Sequence, residues 1–188
     1  MRIIAGRARG TQLLAPKGMD TRPTQDKVKE SLFSMIQWDI PEACVLDLFA
    51  GSGALALESI SRGAREAVLV DKSREALDCI RRNIAKLRVE EQTTVLPCDW
   101  EQALPQLSRS GKRFDLVFLD PPYRMTDLGS ICRRMQELSL LAPDAVLVLE
   151  HRTGVEPVMP EGFVLFKERT YGETQIHFYR WEALPHES

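Results

Sequence analysis

Ala43-Cys44-Val45-Leu46-Asp47-Leu48-Phe49-Ala50-Gly51-Ser52-Gly53 decides the fold of this chain. Its first four residues read as a short buried strand, and two glycines follow closely. Beyond them Leu55, Ala56 and Ile60 recur at helical spacing until Gly63 stops the pattern. In a strand–glycine turn–helix unit the backbone can approach a ligand closely, and the helix start offers free N–H groups. Gly51, Gly53 and Ala56 match the G-x-G-x-x-A spacing of dinucleotide sites. That spacing alone is a weak signal, and Asp47 argues against a dinucleotide. A carboxylate just ahead of the first glycine repels a pyrophosphate and attracts an ammonium. The turn therefore reads as a site for S-adenosyl-L-methionine, with Asp47, Phe49, Gly51 and Gly53 around the cofactor.

The flanking segments extend the same unit. Ala67-Val68-Leu69-Val70-Asp71 is a second apolar run ending in an acid, at the distance from the glycine turn where such an acid bonds ribose hydroxyls. Ser73 caps a helix with an apolar face of Ala76, Leu77, Ile80, Ile84 and Leu87. A third strand, Thr94-Val95-Leu96, leads to Asp99 and Trp100. Asp99 reads equally as an acceptor for an adenine amine and as the cap of the helix that follows, and Trp100 as a ring packed on adenine or as core.

A fourth run, Phe114–Leu119, ends in Asp120-Pro121-Pro122-Tyr123. Ligands of open α/β sheets bind at the carboxyl ends of strands. Two prolines remove neighbouring N–H groups and leave carbonyl oxygens unopposed. Acceptors beside an aromatic ring suit a flat substrate that presents an amine. These four residues are the expected catalytic group.

The remaining pattern completes the architecture. A helix is expected from Thr24 with Val28, Leu32, Met35 and Ile36 on one face, and another near Leu128–Leu138. Strands are expected at Ala145–Glu150, Phe163–Glu168 and Thr174–Trp181, with a short strand inside Arg2–Leu14. Trp38 and the aromatic C-terminal strand read as core. The fold class is α/β: a doubly wound, mostly parallel seven-stranded sheet with an antiparallel edge strand and an N-terminal extension. Residues 1–40 form that extension and the first helix, packed on a main domain of residues 41–182, with a tail at 183–188.

Composition narrows the classes. The chain has 188 residues, 44% of them hydrophobic and 28% charged, ordinary for one soluble domain with a full core. Cys44, Cys79, Cys98 and Cys132 are widely spaced and read as reduced thiols in the cytoplasm. The spacing of His151 and His177 does not suit a metal, and no run approaches a membrane span. Net charge is −2, yet residues 1–29 carry seven basic side chains against two acids. A basic, Gly- and Pro-punctuated arm on an acidic body suits a polyanion. Arg2, Arg7, Arg9, Lys17, Arg22 and Thr24 are the expected RNA contacts, and the sheet is expected to hold the cofactor independently of them.

The chain resembles the bacterial small-subunit ribosomal RNA guanine-N2 methyltransferases of the RsmD type. The resemblance runs through Arg2-Ile3-Ile4-Ala5-Gly6 with Arg9-Gly10, Thr21-Arg22-Pro23-Thr24, Asp47 to Gly53, Asp120 to Tyr123, and Tyr171-Gly172-Glu173-Thr174. It implies a Rossmann-like class I methyltransferase that acts on one guanine of 16S RNA, in a hairpin loop of the subunit head; separately, a monomer is expected. The substrate would be an assembled or partly assembled particle. The alternatives are an adenine-N6 methyltransferase acting on DNA, and a non-catalytic RNA-binding protein.

Overall fold

The computed structural model describes residues 1–18, 23–122 and 124–183. Helix α1 (Pro23–Met35) leads through a single turn at Gln37–Asp39 into strand β1 (Cys44–Asp47). Then follow α2 (Ala54–Ser61), β2 (Glu66–Val70), α3 (Arg74–Leu87), β3 (Thr93–Leu96), α4 (Trp100–Arg109), β4 (Phe114–Leu119) and α5 (Leu128–Glu137). Strands β5 (Leu141–Arg152), β6 (Phe163–Tyr171) and β7 (Thr174–Trp181) close the order.

The seven strands form one sheet in the order β3-β2-β1-β4-β5-β7-β6. Neighbours from β3 to β5 are parallel, and β7 runs antiparallel to both β5 and β6. The antiparallel edge is thus a hairpin, with β6 outermost. The arm and α1 to α3 pack on one face, through Ile3, Leu13, Phe33, Leu57 and Ile80. Helices α4 and α5 cover the other, through Leu104, Leu107, Ile131 and Met135. Both faces of the central strands are therefore buried, which is why β1, β2 and β4 read as mostly apolar runs.

Two expectations need correction. Trp38 is 87% exposed rather than core. Ile36 and Ile40 occupy the buried side of that turn and direct Trp38 outward. Strand β5 begins at Leu141, earlier than its apolar run. Its pairing slips between Phe114↔Leu141 and Leu116↔Val146, and Asp144 takes a positive φ of 61° within that irregularity.

The arm is docked rather than free. Arg2 bridges Gln12, and Ile3 and Leu13 enter the core. Fully buried Glu58 of α2 accepts hydrogen bonds from the amides of Ile4 (2.8 Å) and Ala5 (3.2 Å) and pairs with Arg62 (3.0 Å) and Lys29 (3.1 Å). Buried Asn83 of α3 donates to the carbonyls of both Leu14 and Ser52 (2.9 Å each), tying the arm to the glycine turn. The sequence reading missed these ties because Glu58 and Asn83 look like ordinary solvated helix residues.

Candidate active site

The parallel register brings four acids to one edge. Asp47 ends β1, Asp71 follows β2, Asp120 follows β4, and Glu150 lies near the end of β5. Since β2, β1, β4 and β5 are adjacent in that order, the acids stand side by side along the carboxyl edge. A larger concavity of about 280 Å³ lies elsewhere, between Asp39, Glu42, Asp115, Asp144 and Arg180. Asp115 and Asp144 there lie near the amino ends of β4 and β5, so this is the opposite end of the strands from the one where such sheets bind ligands.

Asp47 is 1% exposed, and neither of its oxygens has a hydrogen-bond partner among the described residues. Burial pushes its carboxyl up to about 7, with the nearby charge of Asp71 adding to the rise. The amides of Ala56 and Phe49 oppose the shift but do not complete well-formed hydrogen bonds. A buried acid with nothing to satisfy it is costly to the folded chain. Such an acid is poised for a cation that the chain itself does not supply.

Asp71 is differently placed. One of its oxygens accepts from the Gly51 amide and the other from Ser73, each at 2.9 Å. It therefore pins the glycine turn to the end of β2, and each oxygen keeps a lone pair for a ligand hydroxyl. Gly51 and Gly53 both take positive φ, 58° and 82°. The Gly53 position also borders the core. A Cβ there would meet Leu69 at 3.0 Å and Leu57 at 3.4 Å, so its missing side chain makes room for the core. Phe49 is half-buried against the α4–α5 face of the sheet, and so is Trp100. Asp99 caps α4, accepting from Glu101 at 3.4 Å, and lies 3.7 Å from Lys72.

Beyond β4, Asp120 stands opposite Glu150, one step past the Leu119↔Leu149 pair. Burial, the charges of Glu150 and Asp47, and a hydrogen bond that protonated Asp120 would donate to Glu150 raise the Asp120 carboxyl well above the usual carboxylate range. Asp120 itself is exposed at the end of its strand, so solvent screens that shift. Pro121, Pro122, Met125, Thr126, Glu150 and Arg152 line a narrow crevice here. The sequence reading missed Glu150. Its signal was the one that marked Asp47, Asp71 and Asp120: an acid directly after an apolar strand, here Val146–Leu149.

Tyr123 and Arg22 lie outside the described residues, and Thr24 stands in the first turn of α1. Arg7, Arg9 and Lys17 present exposed side chains, while Arg2 pairs with Asp26 at 3.4 Å.

The family model described as conserved hypothetical protein 95 matches residues 1–180. The chain belongs to that family. Ribosomal RNA small subunit methyltransferase D of Escherichia coli is 34% identical over 97% of this chain and 91% of its own length. Its namesake in Haemophilus influenzae is 32% identical over 96% and 93%. Among solved structures, yhhF of Escherichia coli superposes with a TM-score of 0.85 at 34% identity, covering 98% of this chain and 99% of its own. The similarity thus spans the docked arm, the glycine turn and the Asp120 crevice together.

Proposed function

We propose that this chain transfers a methyl group from S-adenosyl-L-methionine to the exocyclic N2 amine of a guanine in small-subunit ribosomal RNA. One observation carries the reading. Asp47, buried and unpartnered, sits on the central strand next to the strand that ends in Asp120-Pro121-Pro122. A cation acceptor thus neighbours an amine acceptor at the carboxyl edge of a methyltransferase-like sheet. The names of the relatives, which act on small-subunit ribosomal RNA, supply the substrate class.

The donor fits these residues. When bound, S-adenosylmethionine offers an electrophilic methyl on a cationic sulfur. Asp47 pairs with its ammonium, and Asp71 takes ribose hydroxyls with the lone pairs left beside Gly51 and Ser73. Asp99 and Trp100 flank the adenine.

The exocyclic amine of guanine is a poor nucleophile because its lone pair is delocalised into the ring. Asp120 and a carbonyl of Pro121 or Pro122 accept its two N–H bonds. That favours a pyramidal nitrogen and stabilises positive charge as it develops. Tyr123 stacks on the base, worth about 1–3 kcal/mol, after the nucleotide leaves its stack. Arg7, Arg9, Lys17 and Arg22 hold phosphates. The protein works as a cytoplasmic monomer on an assembled or partly assembled particle.

The test is nucleoside mass spectrometry of ribosomal RNA from a strain lacking the protein. One N2-methylguanosine should vanish from the small-subunit RNA and return on complementation. An unchanged nucleoside profile overturns the reading, and loss of N6-methyladenine from DNA favours the adenine alternative.

A further inference from the structure

Methylation of a neutral amine creates a cation, so the reaction at N2 releases a proton that needs a destination. The carboxyl edge holds one acid whose position suits this and which the mechanism above leaves unused. Glu150 stands across from Asp120 by strand register, half-buried on β5, and lines the crevice with Pro121 and Pro122. Once Asp120 takes up a proton, a hydrogen bond to Glu150 can hold it between the two carboxyls. No salt bridge neutralises either acid among the described residues. The other titratable groups around the pair are Asp47 of β1, and His151 and Arg152, which line the same crevice. Strand β7 places uncharged Ile176 beside Glu150, and the loop after β4 offers Met125 and Thr126.

We propose that Glu150 acts through Asp120 as the second carboxyl of a proton-capturing pair, holding Asp120 toward the amine and sharing the proton that the amine releases. The inference rests on the amine-methylation reading above. The steps balance. The N2 lone pair forms the new bond to the methyl carbon, and the carbon–sulfur pair stays on sulfur, which becomes a neutral thioether. The methylated nitrogen, now cationic, gives one N–H proton to Asp120. That proton settles in the hydrogen bond between Asp120 and Glu150, and the pair passes from two negative charges to one. It returns to solvent when product leaves. A like charge beside Asp120 raises its affinity for a proton. That moves the base toward neutral pH, where a general base is most effective.

Glu150→Gln keeps shape and hydrogen bonding and removes the charge. Turnover with S-adenosylmethionine and small-subunit particles is followed from about pH 5.5 to about pH 9, above the ordinary carboxylate range. The variant should lose about tenfold in kcat. Its acid limb should move down by about one pH unit, while the KM for particles and the affinity for S-adenosylhomocysteine stay within about twofold. Glu150→Asp should restore part of the limb. Ligand-free protein gives a second readout. Acids with raised folded-state values stabilise at low pH and lose that contribution as pH rises through those values. The wild type should therefore lose stability across this range, and Glu150→Gln should lose less. An unmoved limb in an active variant overturns the proposal, as does an unchanged stability slope. Wild-type protein that methylates no guanine overturns the functional reading instead, and the ligand-free slope still judges the pair.

Discussion

Asp47 and Glu58 are both buried to within 1% of full enclosure, on adjoining elements of one unit. Their surroundings differ completely. Glu58 receives two backbone amides, a guanidinium and an ammonium, all contributed by the arm, α1 and its own helix. Asp47 completes no hydrogen bond or ion pair with the described chain. Burial costs a charge heavily unless it is paired, so the same fold carries one acid that the chain has satisfied and one that it has not. The first clamps the N-terminal segment in place. The second stands where a cationic ligand would supply the missing partner. The contrast separates stability from function within a single βα unit.

Breaking each acid in turn tests the contrast. Glu58→Ala leaves Lys29 buried without its partner and frees the Ile4 and Ala5 amides, and should cost about 3–5 kcal/mol in denaturant unfolding. A loss under about 1 kcal/mol, the worth of an exposed ion pair, contradicts the clamp. Asp47→Asn should do the reverse. Its melting temperature at pH 8 should match or exceed wild type, while S-adenosylmethionine affinity drops roughly tenfold or more by calorimetry, about the worth of one charge-assisted contact. A destabilised variant with unchanged affinity would place Asp47 in the same structural class as Glu58.

Proton linkage sharpens the same point. The Asp47 carboxyl is raised to about 7, so without ligand it stabilises the fold at low pH. That contribution is lost as pH rises toward 7. The ligand's ammonium needs the ionised form, so affinity should increase from pH 6 to pH 8 in the wild type and stay flat in Asp47→Asn. A flat wild-type profile in calorimetry argues against an ammonium at this position.

The smallest effect is expected at the arm. Neutralising Arg7, Arg9 and Lys17 leaves its backbone clamp intact. RNA binding should weaken and its salt slope should fall by roughly 0.7 for each lost phosphate contact, with cofactor affinity unchanged. Deleting the arm is a different experiment. It also removes the Leu14–Asn83–Ser52 tie and the contact of Met1 with Ser52 (3.2 Å), so it should harm the fold and the glycine turn together. An unaltered salt slope in the charge variant rejects the RNA role.

The central strands and the acids that end them were legible because both faces of the sheet are covered there, so β1, β2, β4 and β5 are dominated by apolar residues and an acid at the end stands out. Glu150 carried the same mark but lies outside the glycine-turn unit and the Asp120-Pro121-Pro122 motif, and it was overlooked. The docking of the arm was illegible for another reason. Backbone amides make those contacts, and no side-chain pattern encodes where an amide's partner will come from. Gly53 carries a packing demand that its spacing does not reveal. Its turn fits the cofactor pattern, yet its missing Cβ makes room for Leu69 and Leu57. Trp38 looked like core because it is large and aromatic, and the flanking isoleucines took that place instead.

The most direct measurement of the central claim is transfer of a radiolabelled methyl group from S-adenosylmethionine to small-subunit particles, followed by digestion and identification of the labelled nucleoside. The wild type should place label in N2-methylguanosine. Asp120→Ala should lower the rate at least about a hundredfold, the scale of a lost charge-stabilising contact in the transition state, while retaining cofactor affinity. Label in another nucleoside, or near-normal turnover by Asp120→Ala, would contradict the assignment of the carboxyl edge as the site of guanine methylation.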